Sequence, residues 1–327
     1  MFGICKPILS IFALTKINNM TFQQLEYIVA VEKYRHFVNA ATACGVTQST
    51  LSSMIQKLEQ EIDVIIFDRS KHPIEPTPLG KQIITQARLI LHNSTQLREL
   101  ILNEKEQEQG TLYIGMLPCI APYLYPAFCR TIGTLHPGIR TFVYEESPAE
   151  IVAKVQKSEI DMAFVPSGLN AQGTMEIELY TERFMLYVSP SHALHQRPWV
   201  NAEDLMDGDL WLLGNYHPNY PQFGPLLRQD SHHRTLFEAG SLSTLVALID
   251  QNGGYTLLPA LYERCLTEEQ RKNLRPINSG KFFRTISLII RTDYVRERML
   301  NIVAEMVKQI IPEDMIMQRI KKYKITL

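Results

Sequence analysis

The stretch FVNAATACGVTQSTLSSMIQKLEQEI, residues 37–62, decides the reading of the N-terminal part of the chain. It predicts a short helix from Phe37 to Ala43, whose Ala40-Ala41 pair lets a neighbouring helix approach closely. Gly45 supplies the left-handed residue that a tight interhelical turn needs. Thr47 is placed to cap a second helix that continues to about Ile62. On that helix Leu51, Ile55, Leu58 and Ile62 fall on one buried stripe. The opposite face carries Gln48, Ser49, Ser52, Ser53 and Gln56. Short or flexible polar groups in the first turns of a helix suit base edges in a major groove, where Gln pairs bidentately with adenine and Ser or Thr, Thr47 included, serves base or phosphate. A solvated helix face has the same composition, so this spacing alone leaves both readings open.

The flanking segments narrow the choice. Upstream, Leu25, Ile28, Val29 and Glu32 set a helical period with Thr21 as its N-cap. Downstream, residues 67–77 place turn formers between two short extended pieces, as a β-wing would. Arg69, Lys71 and His72 sit where such a wing reaches a phosphate or the minor groove. Thr77 then caps a long helix.

The run Phe37-x-x-Ala40-Ala41, Val46-Thr47-Gln48-Ser49-x-Leu51-Ser52, Ile55-x-x-Leu58-Glu59, Phe67-Asp68-Arg69 and Thr77-Pro78-Leu79-Gly80 resembles the winged helix-turn-helix of LysR-type transcriptional regulators. Residue types agree at fixed spacing over about sixty positions. The resemblance implies that Gln48, Ser49 and Ser52 face DNA and that Arg69 contacts its backbone. Ser53 stands where the family usually has Arg or Lys, which removes one expected phosphate contact.

From Pro78 to about Gln109 no breaker follows Gly80. Ile83, Ala87, Ile90, Ser94, Leu97 and Ile101 alternate steps of four and three, a coiled-coil seam with no visible partner in its own block. A helix of about 30 residues, ~45 Å long, exceeds the needs of a small domain. The expectation is that the seam pairs with a twin. Two recognition helices on a two-fold axis then read an inverted repeat in double-stranded DNA. The resemblance implies the same role for this linker helix.

After Gly110 strands and helices alternate. Strands are expected at Leu112–Met116, Ile139–Tyr144, Met162–Val165, Phe184–Val188, Trp211–Leu213, Tyr255–Leu258 and Thr285–Ile290. Helices are expected at Glu150–Lys157 and Leu242–Gln251. This texture predicts open, mostly parallel sheets, with ligands beyond the carboxyl ends of the strands. Three segments are candidates for that site. Pro118-Cys119-Ile120 opens a helix after the first strand. Ser241-Leu242 opens another, with hydroxyls and free N–H groups suited to a carboxylate. Asn215 and His217 follow the strand containing Trp211. For any single residue of these segments, ordinary capping chemistry is the favoured account.

The resemblance extends over nearly all of residues 20–312. It implies an effector domain of two Rossmann-like, periplasmic-binding-protein-like lobes with a small-molecule ligand in the cleft. Gly115-Met116-Leu117-Pro118, Pro122-Tyr123-Leu124, Leu210-Trp211-Leu212-Leu213, Ala239-Gly240-Ser241-Leu242, Gly254-Tyr255-Thr256-Leu257-Leu258-Pro259 and Arg284-Thr285-Ile286-Ser287-Leu288 are most similar to the peroxide-sensing OxyR branch of the family. That branch carries a His-Cys pair and a resolving cysteine. Here Pro218 follows His217 and the resolving position falls near Leu227, so the disulfide chemistry does not carry over. Cys119, between a strand and a helix N-terminus, is the alternative thiol, in a setting that favours reactivity. Cys44 and Cys129 read as packed thiols.

Bulk composition fits this picture without suggesting it. The chain has 327 residues, 45% hydrophobic and 20% charged, with 33 basic side chains against 34 acidic. That is globular material for two or three compact units, with no basic excess of the kind nucleic-acid binders usually carry. Residues 20–80 alone hold five basic side chains against seven acidic ones. The expectation is therefore a shallow salt dependence with few phosphate contacts per subunit. Five scattered cysteines without a C-x-x-C pair fit a reducing cytoplasm. No apolar run is long enough for a membrane span. The apolar run Ile8–Leu14 lacks a following cleavage site, so residues 1–19 are expected to be a non-structural extension with Met20 as the start. His192-x-x-His195 and His232-His233 lack a third ligand, so no metal is expected. Dinucleotide, NTP and serine-hydrolase motifs are absent, so no enzyme and no cofactor are expected.

The organisation that follows is an α/β chain with an all-α/winged N-terminal part. Residues 20–78 form a winged helix-turn-helix and 79–109 the linker helix. Residues 110–312 form the effector domain, with lobe 1 at about 110–180 and 286–312, lobe 2 at about 181–285, and a tail over 313–327. The expected function is one-component transcription regulation by a cytoplasmic homodimer or homotetramer that engages RNA polymerase.

Overall fold

The computed structural model describes residues 20–103, 110–206, 210–213, 236–237, 241–322 and 324–325. The chain divides into two compact units, with the boundary after Ile101.

The first unit is built on three helices. Thr21 caps α1 (Phe22–Tyr34) in a capping box: its Oγ1 accepts the Gln24 N–H, and Gln24 Oε1 accepts the Thr21 N–H at 2.8 Å. A short α2 (Phe37–Ala43) follows, then Gly45 at φ +68° as the turn requires. Thr47 caps α3 (Gln48–Ile62) by accepting the Thr50 N–H. Leu51, Ile55 and Leu58 on α3 are fully buried against Leu25, Ile28, Val31, Ala40 and Ala41, while Ile62 is half-buried. Each Leu, Ile or Val among them contributes about 1.5–3 kcal/mol on burial. The wing is real: β1 (Phe67–Asp68) pairs antiparallel with β2 (Glu75–Pro76).

The long helix α4 (Pro78–Asn103) corrects one expectation. Its apolar residues do have a partner in their own block. Ile84 and Ala87 are buried in the core of the first unit, with Ile83 and Leu91 packed beside them. Leu79, Ile90 and Leu97 stay exposed. The supposed single seam is two stripes, because the early turns of α4 must also cover α1 to α3. Residues 104–109, the expected polar end, lie outside the described residues.

The second unit holds a mixed sheet. Parallel strands β3 (Gly110–Met116), β4 (Ile139–Glu145) and β5 (Met162–Pro166) are joined through α5 (Ala121–Leu135) and α6 (Pro148–Gln156). Beyond them the expected mostly parallel pairing gives way to a mixture of antiparallel and parallel pairs. The strand expected only at Phe184–Val188 is β6 (Thr174–Val188), 15 residues long. Short strands follow: β7 (Val200–Asn201), β8 (Leu212–Leu213) and β9 (Leu236–Phe237), the last two parallel to each other. After α7 (Leu242–Asn252) come β10 (Tyr255–Pro259), the short helix α8 (Glu268–Arg271), β11 (Leu274–Asn278) and β12 (Phe283–Arg291).

One strand pairs with two different sets of neighbours. From Thr174 to Arg183, β6 pairs antiparallel with β12, which pairs antiparallel with β5. From Phe184 to Val188 it pairs with β10 instead, and Met185 to Tyr187 pair with β11. The strand thus changes partners at Arg183/Phe184. Pattern reading missed the first half of β6 because Glu176, Glu178 and Glu182 interrupt its apolar run.

Helix α9 (Glu297–Ile310) packs eight buried residues onto this core. The last segment is not a passive tail: a short 3-10 turn and α10 (Gln318–Lys322) fold back, burying Ile316, Ile320 and Ile325. Met317 N–H donates to Leu179 O at 2.9 Å, and Ile316 bridges Tyr180. No helix among the described residues is long and apolar enough to cross a membrane.

Candidate functional site

The outer face of α3 is open. Gln48, Ser49, Ser53 and Gln56 are exposed, over a stripe that is fully buried. Thr47 is occupied by capping: its hydroxyl bonds Thr50 Oγ1 at 2.8 Å and Ser49 Oγ at 2.9 Å. Ser52 is half-buried and accepts from Arg69 Nη1 at 3.4 Å.

Arg69 is less available than the sequence suggests. Its Nη2 donates to Glu59 Oε2 at 3.1 Å, and its guanidinium lies 5.2 Å from the centroid of the Phe37 ring. Glu59 Oε1 accepts the N–H groups of Ile66 and Phe67 at 2.8 and 3.2 Å. One carboxylate therefore ties the end of α3 to the first wing strand and to the wing arginine. Lys71 reaches across the wing to Glu75 at 2.7 Å. At the tip, Ser70 donates twice to Asp68 and holds that carboxyl below its ordinary range. Glu59 entered the sequence reading only as a motif position with no role, because on sequence it reads as one more solvated acid on an amphipathic helix.

The effector-side candidates divide. Pro118 is half-buried, and Cys119 and Ile120 are buried at the start of α5. Ile120 is a core residue, fully enclosed. Ser241 caps α7 by accepting the Thr244 N–H, and Leu242 is buried beneath it. Asn215 and His217, with Pro218 and Leu227, lie outside the described residues. Of the thiols read as packed, Cys44 is half-buried with its pKa raised by burial, while Cys129 is exposed.

Around Cys119 stands a polar cluster that the sequence reading missed. Arg284, 4% exposed, donates from Nη1 to Cys119 Sγ at 3.3 Å and from Nη2 to Cys119 O at 3.2 Å. Its Nε donates to Glu182 Oε1 at 2.7 Å, and Tyr123 OH donates to the same oxygen at 2.8 Å. Tyr180 OH lies 3.1 Å from Tyr123 OH. Burial, with the nearby Glu182 carboxylate, drives both phenols well above their ordinary pKa. Glu182 and Arg284 are cross-strand neighbours on β6 and β12, one residue before β6 changes partners. The available signal was Arg284 at the head of the mostly apolar run Ile286–Ile290, a charge that burial permits only with a partner.

Comparison with known proteins bears on both units. Residues 105–310 match the model of the LysR substrate binding domain, and residues 22–81 that of the bacterial regulatory helix-turn-helix protein, lysR family. The chain belongs to the LysR family. This LysR-type protein is a DNA-binding transcription regulator with an effector-binding domain. It is 30% identical over 305 residues to the hydrogen peroxide-inducible genes activator of Haemophilus influenzae, covering 89% of this chain and 99% of that one. It is 28% identical over 298 residues to the HTH-type transcriptional regulator EstR of Acinetobacter baylyi, covering 89% and 97%. Among solved structures, a full-length OxyR from Pseudomonas aeruginosa, in which one cysteine is replaced by aspartate, superposes with a TM-score of 0.76 at 27% identity, over 92% of this chain and 99% of that chain.

Proposed function

We propose that this regulator reads an inverted-repeat site in double-stranded DNA as a cytoplasmic homodimer or homotetramer, with Gln48, Ser49, Ser53 and Gln56 meeting the bases, and acts on transcription through RNA polymerase. The observation that carries the reading is the exposed polar face over the first turns of α3, presented by a capped helix whose other side is fully buried. Thr47 and Ser52 support that face through their hydrogen bonds, and Lys71 and Arg69 flank it from the wing. The exposed stripe Leu79, Ile90 and Leu97 on α4 is the surface suited to pair with a twin helix.

The signal is read as a small molecule held between the lobes near Pro118, Cys119 and the Ser241 cap, with Asn215 and His217 as further contacts. A ligand favouring one lobe arrangement shifts the population of DNA-reading states. A thiol reading through Cys119 is supported by the Arg284 hydrogen bond to its sulfur; loss of an oxidant response in Cys119→Ser tests it.

The deciding experiment selects bound fragments from genomic DNA and then compares Gln48→Ala with the unsubstituted protein. Specific affinity should fall by about 1–3 kcal/mol while non-specific affinity holds. Equal loss on specific and random DNA would overturn the base-reading role of Gln48.

A further inference from the structure

Over Thr174–Arg183, β6 has β12 on one side only, among the described residues. Its other edge is closed near Leu179 and Tyr180 by the returning C-terminal segment. Next to that closure lies a cavity of about 590 Å³, walled by β6 from Met175 to Glu178, by residues 167–170 after β5, and by Met317, Arg319 and Ile325. Its size falls in the range of small-molecule sites, about 300–1,000 Å³.

The walls are fixed independently of any occupant. Glu176 accepts the N–H groups of Gly168 and Asn170 at 2.8 and 3.1 Å, so its carboxylate is spent on closing the loop. Asn301 clamps Ile325 from both sides, donating to its carbonyl at 2.9 Å and accepting its N–H at 2.8 Å. Two charges remain. Glu178 and Arg319 are exposed and have no partner among the described residues, while Ile177, Met317 and Ile325 supply apolar wall. A carboxylate and a guanidinium on one cavity with a partly apolar wall complement an ammonium and a carboxylate on one apolar body. The unladdered edge of β6 adds main-chain donors and acceptors of the kind that take up extended chains.

We propose that this cavity binds a small zwitterion with an apolar side chain, either a free aliphatic amino acid or a dipeptide. Arg319 holds the carboxylate and Glu178 the ammonium group. Occupancy ties the C-terminal segment to β6 a few residues from the Glu182–Arg284 pair, where the strand changes partners.

Titration calorimetry on the full chain tests this with L-leucine, Leu-Leu, N-acetyl-leucine and leucinamide. Leucine or Leu-Leu should bind, with each blocked compound weaker by about tenfold. The tighter of the two zwitterions identifies the source. In Arg319→Ala the preference over leucinamide should vanish, and in Glu178→Gln the preference over N-acetyl-leucine should vanish. Both side chains are exposed, so neither change threatens folding. Failure of both zwitterions to bind at millimolar concentration overturns the proposal, as does discrimination that survives both substitutions. Neither result touches the DNA-reading role of α3.

Discussion

Glu59, near the end of the recognition helix, holds the wing residue Arg69 at 3.1 Å while its second oxygen accepts two main-chain amides of the wing. The wing is thus aimed by a carboxylate rather than by its own two short strands. Arg69 serves as a strut as well as a candidate phosphate contact. Removing either partner should weaken operator binding, and the double change Glu59→Ala with Arg69→Ala should cost less than the sum of the two. A coupling of about 0.5–1 kcal/mol is expected for a partly exposed pair. Strict additivity in a binding double-mutant cycle would remove the strut.

Gly80 gives a second prediction. A Cβ there would lie 2.1 Å from the carbonyl oxygen of Ile66, a main-chain atom that cannot swing aside. Gly80→Ala should lower the stability of the first unit by about 1–3 kcal/mol, since overpacking forces backbone shifts. An unchanged thermal or urea midpoint for the N-terminal transition would contradict this contact.

The buried pair Glu182–Arg284 makes a third. The two side chains are 0% and 3% exposed, so deleting one leaves a stranded charge. Arg284→Met or Glu182→Leu should each destabilise the effector domain by about 3–5 kcal/mol, whereas the double replacement should recover much of that loss. If the double variant is as unstable as the worse single one, pairing is not what keeps these charges buried.

On α4 the two apolar stripes should respond differently. Leu97→Lys should abolish self-association and leave the first unit folded, because Leu97 is 61% exposed. Ala87→Lys should unfold it, because Ala87 sits in the core at 1%. Sedimentation with far-ultraviolet dichroism separates the outcomes; a Leu97→Lys protein that associates unchanged removes this stripe from the dimer surface.

Alkaline titration checks the buried phenols. Tyr262 is pushed up to about 12 by burial, and Tyr123, Tyr180 and Tyr187 are also raised. A folded pKa above the unfolded value near 10 means that the stabilisation is complete below about pH 10. It is lost as pH climbs through the folded value, about 12 for Tyr262. Phenolate absorbance between those limits should show fewer ionised tyrosines in native protein than in urea. Identical curves would show the rings to be solvated.

The N-terminal unit was almost wholly legible. Thr21, Gly45, Thr47 and Thr77 mark their boundaries locally, because a cap or a left-handed turn depends on residues within three or four positions. The stripe Leu51, Ile55, Leu58 likewise follows from the helical period. The effector unit is legible as alternating elements, but the glutamates of β6 hide half of that strand and the C-terminal segment reads as a tail.

What the sequence determined by itself is the helices of the N-terminal unit, their caps, the wing and the polar face of α3. All of these rest on interactions of short range along the chain. Tertiary structure alone decided that α4 divides its apolar residues between two surfaces, that Glu59 is spent on the wing, and that Glu182 meets Arg284 across 102 residues of chain. The physical reason is common to all three. A charge or an apolar stripe states what it needs to be buried against, while the partner that satisfies it is chosen only when distant strands and helices close on one another.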